Sequence, residues 1–139
     1  MEPAESPSIL LGLGAVVVLV LANAFFVAAE FGLVGARKTR LDELAKAGDG
    51  KARLARRAVQ SLDRYISATQ LGITLASLGL GWIGEPALAS LIEGGFAWLP
   101  DPVAAIATHA VASVIAFIII TVLHIILGEL LPKALALLY

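Results

Sequence analysis

The run VAAIATHAVASVIAFIIITVLHIIL, from Val103 to Leu127, leads into Gly128-Glu129-Leu130-Leu131-Pro132-Lys133. Its 25 residues include no Lys, Arg, Asp or Glu. At about 1.5 Å rise per residue, a helix of that length crosses the hydrocarbon core of a bilayer. Glu129 follows almost at once. A carboxylate costs roughly 2.5–3.5 kcal/mol at mid-membrane and less near an interface, so Glu129 requires a cation, a proton or water beside it. Pro132 has no backbone N–H, and its ring crowds the carbonyl four residues earlier, that of Gly128. That carbonyl loses its helical donor. A carboxylate and a freed backbone oxygen, both hard ligands at the end of a membrane helix, suit a metal cation.

The rest of the chain is built for the same solvent. Hydrophobic residues make up 59% and charged residues 15%, against roughly 45–50% and about 25% in soluble domains. Three long apolar segments use most of the 139 residues, leaving no separate soluble core. The absence of cysteine excludes disulfides and thiolate metal sites. Met1 to Ser8 is acidic, and the apolar run after it is too long for a removable signal peptide. The first span is expected from about Ile9 to Val34, with Ser8 placed to cap it. A second runs from about Tyr65 to Ile83 and is expected to end at Gly84-Glu85-Pro86, because proline disfavours a helical residue before it. Ala87 to Trp98 then reads as a short interfacial or partly inserted helix, with Trp82 and Trp98 as headgroup anchors. Pro100-Asp101-Pro102 reads as a turn before the third span, and no internal repeat is visible.

Basic residues set the orientation. Nine of the ten Lys and Arg lie between Arg37 and Arg64, the tenth is Lys133, and none lies before Arg37 or between Glu85 and Pro102. By the positive-inside rule the N-terminus is outside, 37–64 is cytoplasmic, 85–102 is outside and Lys133 is cytoplasmic. The expected fold is an all-α membrane protein: three transmembrane helices with a cytoplasmic helical hairpin between the first and second. Thr39 followed by Asp42 and Glu43 resembles a helix start. Leu41, Leu44 and Ala45 make an apolar patch, Gly48-Asp49-Gly50 is a turn, and 52–62 forms the second arm. The hairpin's basic side chains belong near anionic headgroups. A nucleic-acid partner does not fit, since membrane spans flank these charges on both sides.

Several polar side chains interrupt the spans. Asn23 and Glu30, seven residues apart, share a face of the first helix. Asn23 either bonds across a helix interface or serves a site, and Glu30 is read as water-exposed or paired with Arg37. Ser67, Gln70, Thr74 and Ser77 form a stripe about 80° wide at 100° per residue. This stripe either lines a cavity or consists of hydroxyls bonding their own i−4 carbonyls. Gly72, Ala76 and Gly79 form a separate small-residue strip, read as a close-packing surface for a homodimer. His109 is placed near the outer interface. His124, about one turn before Glu129, is either a proton acceptor or a hydrogen-bonded packing residue.

Three stretches together, Asn23 to Phe31, Ala68 to Trp82 and Gly128 to Lys133, resemble the transmembrane domain of the CorC/CNNM (cyclin M) family, often labelled hemolysin-like in bacteria. The resemblance covers essentially the whole chain, so 1–139 is expected to be one such domain. It implies a homodimer in the cell membrane, three helices per subunit and an inward-facing acidic cavity. It also implies magnesium transport, with export coupled to sodium. Asn23 matches a polar residue of the family's first helix, Ser77 a second-helix position that is often Asn, and Glu129 the acidic residue before the kinking proline. The expected ligand set is Glu129, Asn23, Ser77, Thr74 and the Gly128 carbonyl. Ile73 stands where many members have a second Asn, and Val27 and Ala29 where many have Ser, which leaves fewer oxygen ligands. Family members normally continue into nucleotide-binding CBS domains and often a CorC/HlyC domain. The chain stops at Tyr139, so it reads as truncated and offers no nucleotide site. No nucleophile–base pair or phosphate loop suggests an enzyme. The competing reading is a membrane scaffold or regulatory subunit that dimerises without transporting ions.

Overall fold

The computed structural model describes the backbone of residues 6–96 and 102–138 and the side chains of 8–96 and 108–138. The expected turn at 100–102 and the Trp98 anchor lie largely outside those residues. Every described element is helical: α1 (Ser6–Gly35), α2 (Lys38–Lys46), α3 (Gly50–Gln60), α4 (Leu62–Gly79), α5 (Glu85–Gly94), α6 (Pro102–Leu123) and α7 (Leu131–Leu138). A π-helical segment joins α4 to α5 at Leu80–Gly84, and another joins α6 to α7 at His124–Leu130. Three helical runs are long and apolar enough to span a membrane: Ser8–Gly35, Leu62–Gly94 and Thr108–Leu138. At most 22% of the apolar window of any span is buried within the chain. Most of each span therefore presents Leu, Ile, Val and Phe outward, which is unfavourable in water and natural in lipid.

The second span corrects the sequence reading. Pro86 does not end the helix, since Glu85 stays helical at φ −60°, ψ −51°. Each π segment ends two residues before a proline, Pro86 in one case and Pro132 in the other. An extra residue in the turn lets the backbone bond i to i+5 and absorb the missing N–H without breaking the helix. In the second segment the Leu131 N–H donates to the Ile126 carbonyl in this way. Residues 87–94 thus prolong the second span and do not form a separate interfacial helix. The first span differs too: α1 already includes Ser6, so Ser8 is internal and is not its cap.

α1 is the hub, packing on α4, α5, α7 and both π segments, whereas α6 leans on α5. Glycines mark the antiparallel α1–α4–α5 contact. A Cβ on Gly72 would lie 2.6 Å from the Phe26 ring, one on Gly79 3.3 Å from Leu19, one on Gly84 3.0 Å from Val16, and one on Gly12 2.6 Å from the Ala87 Cβ. The register runs unbroken past the π segment. This corrects the role of the Gly72/Ala76/Gly79 strip, which seats α4 on α1 within one chain and is not free for a second copy. Val16, Val20, Leu80 and Ile120 make the core where the spans meet, and fully buried Ala112 and Ala116 let α6 come close.

The hairpin forms with shifted ends. α2 starts at Lys38 with Arg37 at the cap position, so Thr39 lies inside the helix and caps nothing. It ends in a Schellman motif: Asp49 N–H donates to the Leu44 carbonyl and Gly48 N–H to that of Ala45. Gly48 takes φ +98°, which glycine adopts without a Cβ penalty. Asp49 then caps α3, accepting from the amides of Lys51 at 2.8 Å and Ala52 at 3.2 Å. Arg56 meets Asp42 across the hairpin at 3.5 Å. The hairpin and α7 share one end of the molecule, where Lys133 Nζ lies 4.6 Å from the Phe31 ring centroid. At the other end His109 on α6 hydrogen-bonds Glu93 on α5.

Candidate cation site

Asn23 is fully buried on α1, and its side-chain N–H donates to the Gly128 carbonyl at 2.9 Å. The carbonyl exposed by Pro132 is therefore already occupied. Gly128 has to be small here, because a Cβ would sit 3.1 Å from Asn23 Nδ2. Asn23 Oδ1 is also buried and has no hydrogen-bond partner. A buried unpaired acceptor costs on the order of 1–3 kcal/mol, and in a membrane interior no bulk water relieves it. The oxygen suits a proton donor, a water or a cation.

The second π segment builds the other half. At 100° per residue, side chains five apart point about 140° away from each other. The wider π winding brings positions i and i+5 onto one side. His124 Nε2 consequently meets Glu129 Oε1 at 2.9 Å and Ser77 Oγ at 3.4 Å. Ser77 comes from α4, so this chain of polar groups ties the second span to the third, as Asn23 ties the first to the third. The His124 side chain is mostly enclosed, at 13% exposed, while that of Glu129 is 45% exposed. The carboxylate thus has one oxygen held by the imidazole and an open side available to a ligand.

Of the five expected ligands, Asn23 is bonded to the Gly128 carbonyl, and Glu129 is linked to Ser77 through His124, the two groups meeting at the Gly128–Glu129 backbone. Thr74 joins neither group. It is exposed, and its hydroxyl donates to the Gln70 carbonyl at 2.8 Å. Ser67 likewise donates to the Asp63 carbonyl at 2.8 Å, so two of the stripe's hydroxyls serve their own helix, and Ser67, Gln70 and Thr74 are exposed. Glu30, expected in water or on Arg37, is half-buried and accepts from Thr69 at 3.4 Å. Among the described residues, no group of three or more His, Cys, Asp or Glu side chains is placed to hold a metal, so any cation here depends on neutral oxygens and water. Helical periodicity could not have paired His124 with Glu129. The available signal was Pro132 one turn beyond them, which induces the π winding.

Three membrane-length helices with a buried amide, a kinked third span and a membrane carboxylate define a polytopic membrane domain, consistent with a transporter-like protein. The model of the cyclin M (CNNM) transmembrane N-terminal domain matches residues 14–139, and the chain belongs to that family. Among its relatives, UPF0053 protein YhdT of Bacillus subtilis (strain 168) is 49% identical over 121 residues, covering 86% of this chain and 25% of YhdT. UPF0053 protein YugS of the same organism is 43% identical over 127 residues, covering 90% of this chain and 29% of YugS. UPF0053 protein sll0260 of Synechocystis is 37% identical over 134 residues, covering 95% of this chain and 29% of that protein. The chain thus spans between a quarter and a third of the length of these curated relatives. No solved structure matches it.

Proposed function

We propose that this chain is the membrane half of a cation transporter that exports magnesium in exchange for sodium and has no enzymatic activity of its own. The observation that carries this reading is the unpaired, fully buried Asn23 Oδ1, held on the same π segment as Glu129 through the Gly128 carbonyl. Glu129 supplies the negative charge, and Asn23 Oδ1 and Ser77 Oγ supply neutral oxygens. Thr74 could join only after α4 rotates. The Gly128 carbonyl fixes the Asn23 amide and becomes a ligand only if that amide turns away. Magnesium favours six oxygens at about 2.0–2.1 Å and sheds water reluctantly. So few protein oxygens suit a partly hydrated, weakly held ion that can leave again.

The same reading places the hairpin and Lys133 in the cytoplasm and the N-terminus outside, by their basic residues. It also makes the working unit a homodimer, with cytoplasmic CBS domains in the longer proteins. With the small-residue strip spent on α1, the surface for a second copy is the outward stripe of Ser67, Gln70 and Thr74. The Gln70 amide is exposed and has no partner among the described residues, which is unfavourable against lipid. The scaffold reading draws on the back-bonded hydroxyls of Ser67 and Thr74. Magnesium flux into proteoliposomes separates the two. Wild-type chain should carry flux, Glu129→Asp part of it and Glu129→Gln none. Equal flux in wild type and Glu129→Gln would favour the scaffold.

A further inference from the structure

Where α3 meets α4, a groove of about 430 Å³ is lined by Arg57, Ser61, Arg64, Tyr65 and Ala68. All five lining residues are exposed. Neither arginine has an acidic partner: the described Lys and Arg ion pairs are Arg40 with Glu43 and Arg56 with Asp42. Two uncompensated guanidiniums beside a hydroxyl and a phenol suit a phosphate, which guanidinium binds bidentately.

The surface below the groove identifies what carries that phosphate. Arg64, Ala68, Leu71, Leu75 and Leu78 follow one another at spacings of four, three, four and three, one stripe along α4. Leu71, Leu75 and Leu78 are 61–66% exposed. The stripe lies about 100° around the helix from the Ser67/Gln70/Thr74 face and on a different side from the glycines that meet α1. From the hairpin towards the membrane centre the stripe therefore reads cation, then apolar surface, with Tyr65 lining the groove beside it. Tyr65 stands where an interfacial aromatic belongs. A free phosphate would use only the top of this surface, whereas a lipid matches its whole length.

We propose that the Arg57/Arg64 groove is a discrete binding site for one anionic phospholipid, from the leaflet that the α2–α3 hairpin faces. Its phosphate and headgroup lie in the groove and an acyl chain lies along Leu71, Leu75 and Leu78. The site is separate from the Asn23–Glu129 cluster. Its occupant would brace the α3–α4 junction, where Ser61 adopts φ −119°, ψ 43° and interrupts the helix.

The test is native mass spectrometry of the full chain, extracted from vesicles holding equal phosphatidylglycerol and phosphatidylcholine. Wild type should retain phosphatidylglycerol over phosphatidylcholine by on the order of tenfold, from about two basic residues near the headgroup plane. Arg57→Gln/Arg64→Gln should lose that preference with unchanged helicity. Lys38→Gln/Lys51→Gln, which removes the same charge elsewhere on the hairpin, should keep it. Ala68→Trp, which fills the groove and leaves both arginines, should also lose it. Glycerophosphoglycerol, a soluble headgroup, should displace the lipid poorly at equal concentration. Equal retention of both lipids by wild type would overturn the site, as would equal losses in the two double variants. A soluble headgroup that competes as well as the lipid would overturn the acyl-chain part. A fall in dimer fraction in Arg57→Gln/Arg64→Gln, with lipid retention unchanged, would assign the surface to a second copy of the chain.

Discussion

Replacing Asn23 with alanine separates a structural tie from a functional one. The variant loses the 2.9 Å bond to the Gly128 carbonyl. Hydrogen bonds between membrane helices average about 0.6 kcal/mol and reach about 1.7. The small cavity adds roughly 1 kcal/mol. Against this, the variant removes the buried orphan Oδ1, whose desolvation costs on the order of 1–3 kcal/mol. The Gly128 carbonyl, which Pro132 leaves without a helical donor, is orphaned in its turn at a similar cost. The two orphan costs nearly cancel, and the lost bond and the cavity leave Asn23→Ala destabilised by about 1.5–3 kcal/mol. The ligand effect should not cancel. An ion at 100 times its dissociation constant stabilises by about 2.7 kcal/mol, and most of that should vanish with the amide oxygen. The assay is unfolding in mild detergent with and without magnesium. A loss above about 3 kcal/mol in metal-free protein, with the magnesium increment intact, would make Asn23 a structural tie and refute the reasoning.

Other outcomes follow from the packing and the π turn. Gly72→Ala, whose Cβ would lie 2.6 Å from the Phe26 ring, should cost about 1–3 kcal/mol, read as a lower unfolding midpoint. Gly79→Leu should act the same way through Leu19, lowering the unfolding midpoint and not only the dimer fraction. Pro132→Ala returns an N–H to the Gly128 carbonyl and favours α winding, which carries Glu129 away from His124. Magnesium flux should fall with no change of charge, and unchanged flux would show that the π turn is incidental. A cysteine at Ser6 should react with an impermeant reagent from outside and one at Asp49 only after permeabilisation. The opposite labelling would invert the orientation.

The three spans and the hairpin were legible, as was the loss of a donor at Pro132, because each depends on composition or on one residue's covalent chemistry. Apolar length gives a span in any context, and Pro132 lacks an N–H wherever it lies. What escaped depends on winding and on neighbours. Pro86 and Pro132 were read as breaks or freed carbonyls, whereas the chain answers each with an i+5 turn. Only that turn brings His124 onto Glu129. The Gly72/Ala76/Gly79 strip was visible as a place of close approach, but a strip does not name its partner, and α1 of the same chain takes it. Thr74 shared a face with Ser77 on an ideal helix, yet its hydroxyl bonds Gln70 and it stays outside the cluster. Asn23 was picked out for its polarity in an apolar span. That its two polar atoms divide the work, Nδ2 holding Gly128 and Oδ1 left open, required coordinates.

The central claim is that Glu129 supplies the charge for a cation beside the Asn23 oxygen. Titration calorimetry of magnesium into the purified chain, matched with Glu129→Gln and Glu129→Asp at equal helicity, addresses it most directly. Weak saturable binding by wild type, reduced binding by Glu129→Asp and none by Glu129→Gln is the result expected. Wild-type affinity retained in Glu129→Gln would contradict it.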